Sequence, residues 1–277
     1  MMKRVIAGAL GVAFGATFGA TVLGLGAQTA SAAGAAEEVP DYSWSFEGIF
    51  GHYDRAAAQR GLQVYREVCA GCHSLRFVAF RDLAGIGYSE AQIKAFAAEA
   101  TVEDGPDSEG EMFERSGIPA DRFPSPFPNP QAAAAANGGA APPDLSLIAK
   151  ARVGGPNYLR ALLTGYRDAP SAEFLQNYAK AHDGEAFELL DGQNFNLYFP
   201  GYKIAMAAPL FEDGVEYQDG TPATVEQMAD DVSHFLMWAA EPKMEERKRT
   251  GLKVVLFLLV FTGILYAVKR KVWADLH

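Results

Sequence analysis

Cys69-Ala70-Gly71-Cys72-His73 holds the only two cysteines of the 277-residue chain, two residues apart, with a histidine directly after the second. That spacing predicts covalent attachment of a c-type haem. Two thiols so placed on a short helical turn can each add to one vinyl group of the same porphyrin, and His73 then lies under the iron as its proximal ligand. The competing readings are a redox dithiol, which needs a thioredoxin-like strand and helix, and half of a zinc site, which needs further Cys or His partners nearby. Neither set of partners stands near the motif.

Upstream, Ala57, Gly61, Leu62, Val64, Tyr65 and Val68 recur at helical spacing, and Asp54 can cap the start, so a helix over 54–68 delivers the chain into Cys69. Gly61 in mid-helix is unfavourable by roughly 1 kcal/mol relative to Ala, which predicts a second helix crossing closely there. The aromatic, Gly-interrupted stretch 41–50 suits a segment that wraps a surface. Residues 1–32 carry Lys3 and Arg4, an apolar Gly- and Ala-rich run, and Ala30-Ser31-Ala32, the pattern of a removed secretory signal; an uncleaved N-terminal anchor is the alternative. Export suits a haem whose thiols must be handled outside the cytosol. Without that segment the formal charge moves from −10 to −12, because 22 Lys and Arg remain against 34 Asp and Glu. Such a chain repels nucleic acid and attracts basic partners, although acidity also serves solubility alone.

Downstream, Ser89 caps a predicted helix running to Ala100, with Ile93 and Phe96 on its apolar side. An acidic run from Glu99 to Glu114 and a cluster of prolines from Pro119 to Pro130 read as extended, irregular surface chain, either a solvated loop or part of a docking face for a basic redox partner. Asn137 to Ile148 reads as a rigid turn entering an apolar helix that Asp144 or Ser146 could cap. Pro156 to Gly165 offers Tyr158, Leu159, Leu162 and Leu163 on one side of a short helix. Arg152, between these elements, suits either a haem propionate or the open surface. Residues 168–191 resemble an insertion, helical around Phe174 to Lys180.

The segment Tyr198 to Leu210 is bounded by Pro and Gly and is small around Met206, the candidate sixth ligand. A thioether there completes a low-spin, high-potential haem with no open position for oxygen or peroxide chemistry. Met112 lies in the acidic run, Met228 and Met237 share helical spacing with core positions, and Met244 falls outside the domain; His52, His182 and His234 are the rival imidazoles. Thr221-Pro222 predicts the start of a last helix continuing to Glu241. Beyond it, a charged linker 243–250 precedes an apolar run 251–268 that is long enough to span a bilayer, and 269–277 form a basic tail. Lys253 can snorkel, and Trp273 suits the far headgroup level. The predicted fold is therefore mainly α: a class I cytochrome c-like haem domain over 33–242 with long loops, plus one C-terminal transmembrane helix.

Taken in order, QVYREVCAGCHS, ANGGAAPPDLSLIAKAR, YFPGYKIAMAAPL, DGTPATVEQMADDVSHFLMWAAEP, ERKR and the terminal apolar run resemble the cytochrome c1 family of the cytochrome bc1 complex, in its bacterial form. The resemblance covers nearly the whole chain after the leader. It implies an electron relay from a Rieske iron-sulfur protein, through one haem c, to a basic cytochrome c, beside cytochrome b in the bacterial inner membrane; the expected signal peptide orients the chain, with the haem domain periplasmic and the C-terminus cytoplasmic. By position it implies Cys69 and Cys72 as haem attachments, His73 and Met206 as iron ligands, Pro143 and Tyr158 as pocket residues, and Arg152 on a propionate. No substrate chemistry by this subunit alone is implied. Two departures stand out: Ala207-Ala208-Pro209 replaces a more proline-rich run, and 168–191 is longer than in mitochondrial members. Some bacterial relatives stiffen the methionine loop with a disulfide, for which this chain has no cysteines, so the insertion is the candidate brace. Outside the resemblance, a tethered monohaem cytochrome feeding another oxidase or reductase, a peroxidase-type haem enzyme and a purely structural anchor are the alternatives.

Overall fold

Asp54 stands in extended backbone, and its carboxylate accepts the amides of Ala56 and Ala57 at 2.9 and 3.1 Å, which starts α1, Arg55–Val64. The computed structural model describes residues 37–274; the leader expected over 1–32 lies outside them. The described chain continues through α2 (Glu90–Ala98), a hairpin of β1 (Thr101–Asp104) and β2 (Phe113–Ser116), α3 (Pro130–Ala136), α4 (Ile148–Ala151), α5 (Gly155–Thr164) and α6 (Ala172–Ala181). A two-residue ladder of β3 (Asn194–Phe195) and β4 (Lys203–Ile204) follows, then α7 (Val225–Ala240) and α8 (Met244–Val272). The mainly helical expectation holds.

The organising contact is the crossing of α1 on α7. A Cβ at Gly61 would lie 2.0 Å from the backbone oxygen of Asp231 and 2.7 Å from Cβ of Phe235, so only glycine allows the two backbones to approach this closely. Beside that contact Arg60 donates from Nε and Nη2 to the two carboxylate oxygens of Asp231, both at 2.9 Å, and from Nη1 to Asp219 at 3.0 Å. The Asp231 carboxylate is wholly buried, so removing Arg60 would strand a buried charge at a cost of about 3–5 kcal/mol. Leu62, Tyr65, Met228, Val232, Phe235 and Trp238 fill the core around the crossing. α4 and α5 pack on α7 as well, which brings the segment after the prolines next to the segment after α1.

The 41–50 stretch wraps as expected. Trp44 and Phe46 are buried and sit edge-on to the ring of His234 on α7, at centroid distances of 4.9 and 5.3 Å. Elsewhere the structure departs from the sequence expectations. Part of the acidic run is regular: β1 and β2 pair antiparallel from Thr101–Ser116 to Asp104–Phe113, with Arg115 bridging Asp104 and Asp121 beside them, while 105–112 and the proline stretch 117–129 are loops as expected. The last core helix is capped by Thr224, which accepts the Gln227 amide at 3.1 Å, while Thr221 closes a turn on Asp219. Met244 belongs to the core at 2% exposure. The charged residues after it are the first turns of α8, one continuous 29-residue helix whose apolar part is long enough to cross a membrane and is not buried against the rest of the protein.

The Asp219 carboxyl is held down at about 2, first by the Thr221 amide and hydroxyl and then by Arg60. A depressed carboxyl contributes stability that is present above its unfolded pKa of about 4 and is lost as the pH falls through the folded value. Asp219→Asn is expected to lower the thermal midpoint at neutral pH. The gap from the unaltered protein should close as the pH falls from about 4 towards about 2, whereas a gap constant across that window would contradict the pairing.

Candidate functional site

The end of α1 widens into a π turn, Tyr65–Cys69, in which the amide of Ala70 reaches back to Tyr65 O at 2.8 Å. Such single π turns are frequent at functional sites, where they re-aim the side chains that follow. The amides of Cys72 and His73 then both close on Cys69 O, at 3.1 and 2.9 Å, and the buried Tyr65 hydroxyl donates to His73 O at 3.1 Å. This tight turn sets Cys69, Cys72 and His73 on the wall of one cavity of about 650 Å³. His73 Nδ1 lies 2.8 Å from Pro143 O. A carbonyl only accepts, so Nδ1 carries the proton and Nε2 keeps its lone pair. Burial lowers the His73 pKa, against the Pro143 hydrogen bond and the charge of Asp144, and favours the neutral ring that a metal ligand must have. Burial, and next Cys72, pushes the Cys69 thiol up to about 12, so an unmodified Cys69 stays protonated at neutral pH.

Pro143 is positioned by its neighbour. Asp144 accepts from the Ser74 hydroxyl at 2.7 Å, the Arg76 amide at 3.1 Å and the Ser146 amide at 2.9 Å, and so ties the loop before α4 to the chain just after the haem motif. This corrects the capping expectation: α4 begins after Leu147 with no side-chain cap, because both Asp144 and Ser146 are used across the loops, Ser146 accepting the Phe77 amide at 3.0 Å. Burial alone would raise the Asp144 carboxyl; hydrogen bonds from Ser146, Ser74 and Arg76 outweigh it and hold the group below its ordinary range.

The same cavity is lined by Met206, half-buried in the loop after β4. Its backbone oxygen accepts from the Tyr166 hydroxyl at 3.1 Å and from Asn194 Nδ2 at 3.3 Å. Asn196, wholly buried, accepts the amides of Tyr198 and Phe199 and donates to Leu162 O at 2.8 Å, which fastens the loop to the end of α5. Sequence reasoning missed Tyr166, Asn194 and Asn196, and no local signal marks them, since each acts on a partner set by the tertiary fold. Pro143, Arg152 and Tyr158 also line the cavity, with Leu159, Leu162, Leu163, Val232 and Leu236 supplying apolar walls from α5 and α7. Arg152 is exposed at the rim.

The donor set fits a haem. Two thiols, an imidazole with a free nitrogen and a thioether meet on a mostly apolar cavity whose volume lies within the roughly 300–1,000 Å³ of small-molecule and cofactor sites, with a cation at its rim. The rival residues lie elsewhere. His182 stacks on Tyr178, His234 is enclosed by Trp44 and Phe46, His52 is exposed, Met112 is exposed on the hairpin loop, and Met228 is core. Among the described residues no group of three or more His, Cys, Asp or Glu is placed to hold a metal ion, so the zinc reading finds no partners.

Comparison with known proteins agrees. The model of the Cytochrome C1 family matches residues 44–276. The chain belongs to the cytochrome c1 family. It is 52% identical to cytochrome c1 of Rhodospirillum rubrum over 84% of this chain and 86% of that protein. It is 50% identical to a mitochondrial cytochrome c1 heme protein of Arabidopsis thaliana over 98% of this chain and 85% of that one. It is also 51% identical over 90% of its length to the cytochrome b/c1 protein of Bradyrhizobium diazoefficiens, of which it spans 38%. A c-type haem is the cofactor that membership of the cytochrome c1 family implies.

Within this cytochrome c1 fold, the segment 168–191 packs against the ladder that precedes the methionine loop. Phe174 of α6 meets Phe195 and Tyr202 at centroid distances of 4.8 Å each and Phe187 at 5.2 Å, so four rings clasp the β3–β4 ladder. The Lys203 ammonium lies 4.9 Å from the centre of the Phe187 ring. Tyr166→Phe removes one of the two donors to Met206 O while keeping the ring. We expect about fivefold faster hydrogen exchange for the amides of 203–208, the equivalent of one hydrogen bond of about 1 kcal/mol; unchanged exchange would contradict a restraining role for the Tyr166 hydroxyl.

Proposed function

We propose that the chain is the electron-transfer subunit of a cytochrome bc1 complex, taking single electrons from a Rieske iron-sulfur protein and handing them to a basic cytochrome c. The observation that carries this reading is the meeting of Cys69, Cys72, His73 and Met206 on one apolar cavity. Cys69 and Cys72 would hold haem c through thioether bonds, with His73 Nε2 and Met206 Sδ as axial ligands. A c-type haem so held supplies reversible one-electron exchange at high potential. Pro143 fixes the His73 tautomer. Tyr158 and the leucines of α5 exclude water, and Arg152 at the rim would pair with a propionate. Met206, on the same cavity as His73, would supply the second ligand to the iron, and this supports a relay over a peroxidase-type enzyme.

The membrane anchor is α8, and the expected leader would put the haem domain on the periplasmic side of the bacterial inner membrane with the tail in the cytoplasm. Glu103, Asp107, Glu109, Glu111 and Glu114 lie on the β1–β2 hairpin and its loop, mostly exposed, in a chain of formal charge −10. That surface supports salt-dependent steering of a basic acceptor.

The test is an optical redox titration of the membrane-bound protein, with a pyridine haemochrome spectrum recorded beside it. We expect one low-spin, high-potential c-type haem, and in Met206→Leu a high-spin site that binds carbon monoxide. Carbon monoxide binding by the unaltered protein would overturn Met206 as ligand, and co-purification without cytochrome b and a Rieske protein would favour a tethered cytochrome serving another oxidase or reductase.

A further inference from the structure

Two large apolar side chains of the N-terminal strap point away from the core. Ile49 and Phe50 are 68% and 81% exposed, although Trp44, Phe46 and Tyr53 around them are buried. The strap's contacts descend along α7 and α8. Tyr53 donates its hydroxyl to the backbone oxygens of Met237 and Glu241, at 3.3 and 3.0 Å, and its amide to Glu245 Oε1 at 2.8 Å. Lower on α8, the Lys248 ammonium donates to Phe46 O at 2.6 Å and lies 3.5 Å from Gly51 O. The loop 47–50 is therefore pinned at both ends to Lys248. At a rise of 1.5 Å per residue, that residue stands about 5 Å along the helix from Gly251, where the apolar run begins.

The loop is also closed on itself: a Cβ at Gly51 would lie 2.0 Å from Glu47 O, and Gly48 has φ +66°. The tip between these two glycines holds Ile49 and Phe50 outside the core. On the face of α8 that carries Lys248, at the helical spacings that follow it, Leu252, Val255, Leu256 and Leu259 are exposed. Arg249, exposed on the same turn as Lys248, faces the level at which lipid headgroups would lie.

We infer that Ile49 and Phe50 insert into the interfacial layer of the bilayer, so that the strap is a second, non-helical membrane contact that fixes the tilt of the haem domain. The inference rests on α8 spanning that bilayer. Continuity with the apolar surface of α8 and the adjacent cations favour lipid as the occupant, since interfacial segments combine aromatic and aliphatic side chains with neighbouring Lys or Arg.

The experiment uses the full haem-loaded chain in vesicles of phosphatidylcholine and phosphatidylglycerol, with a nitroxide on Phe50→Cys or, as a second variant, Ile49→Cys. Ser108→Cys in the hairpin loop is the aqueous reference, and Leu259→Cys in mid-α8 is the deep one. Labels at 49 and 50 are expected to collide several-fold less often with a water-soluble nickel chelate, and more often with oxygen, than the label at 108, short of the values at 259. A deep label at 259 with aqueous labels at 49 and 50 would overturn the inference and leave the anchor standing; an aqueous label at 259 would overturn both. Protection at 49 and 50 that appears only when cytochrome b is added would assign the contact to protein and overturn the lipid reading.

Discussion

One missing side chain governs the packing of this protein. With no Cβ at Gly61, α1 lies directly on the backbone of α7 at Asp231, and the bidentate Arg60–Asp231 pair locks the crossing. From that contact the C-terminal end of α1 runs into the π turn that presents Cys69, while on α7 Val232, next to Asp231, and Leu236, about a turn beyond, form the back wall of the cavity. A larger residue at 61 would part the helices and move two walls of the site together, and overpacking of this kind costs about 1–3 kcal/mol. The position that looks weakest by helix propensity is the one on which the site depends.

The two proposed ligands are held in a common way, each by a hydrogen bond outside its own reactive atom. Pro143 O fixes the proton on His73 Nδ1, and Tyr166 and Asn194 hold the backbone oxygen of Met206. In both cases the partners come from another segment, and further hydrogen bonds tie the segments together, through Asp144 on one side and Asn196 on the other. The rings of Phe174, Phe187, Phe195 and Tyr202 add an apolar clasp behind the methionine loop. In a chain whose only cysteines lie in the haem motif, aromatic packing and buried amide hydrogen bonds restrain that loop.

What could be read from the sequence was local. The haem motif, the Asp54 and Ser89 caps, the helix ending at Cys69, the close approach at Gly61, the Met206 loop and the apolar C-terminal run each carry their signal within a few residues. The rest is set by partners distant in the chain. Thr221-Pro222 looks like a helix start, but Asp219 claims Thr221 and the helix waits for Thr224. Asp144 looks like a cap and instead joins two loops. The acidic run hides a hairpin whose one arginine, Arg115, is paired with Asp104 and with the more distant Asp121. Met244 seems to fall beyond the domain because the helix that returns it to the core is announced only by the charged residues that follow.

The measurement that bears most directly on the site is near-infrared magnetic circular dichroism of the ferric protein, which reports the axial ligand pair of a haem without mutation. A histidine–methionine signature is expected. A bis-histidine or histidine–water signature would contradict the placement of Met206 on the iron and, with it, the reading of the cavity as a closed electron relay.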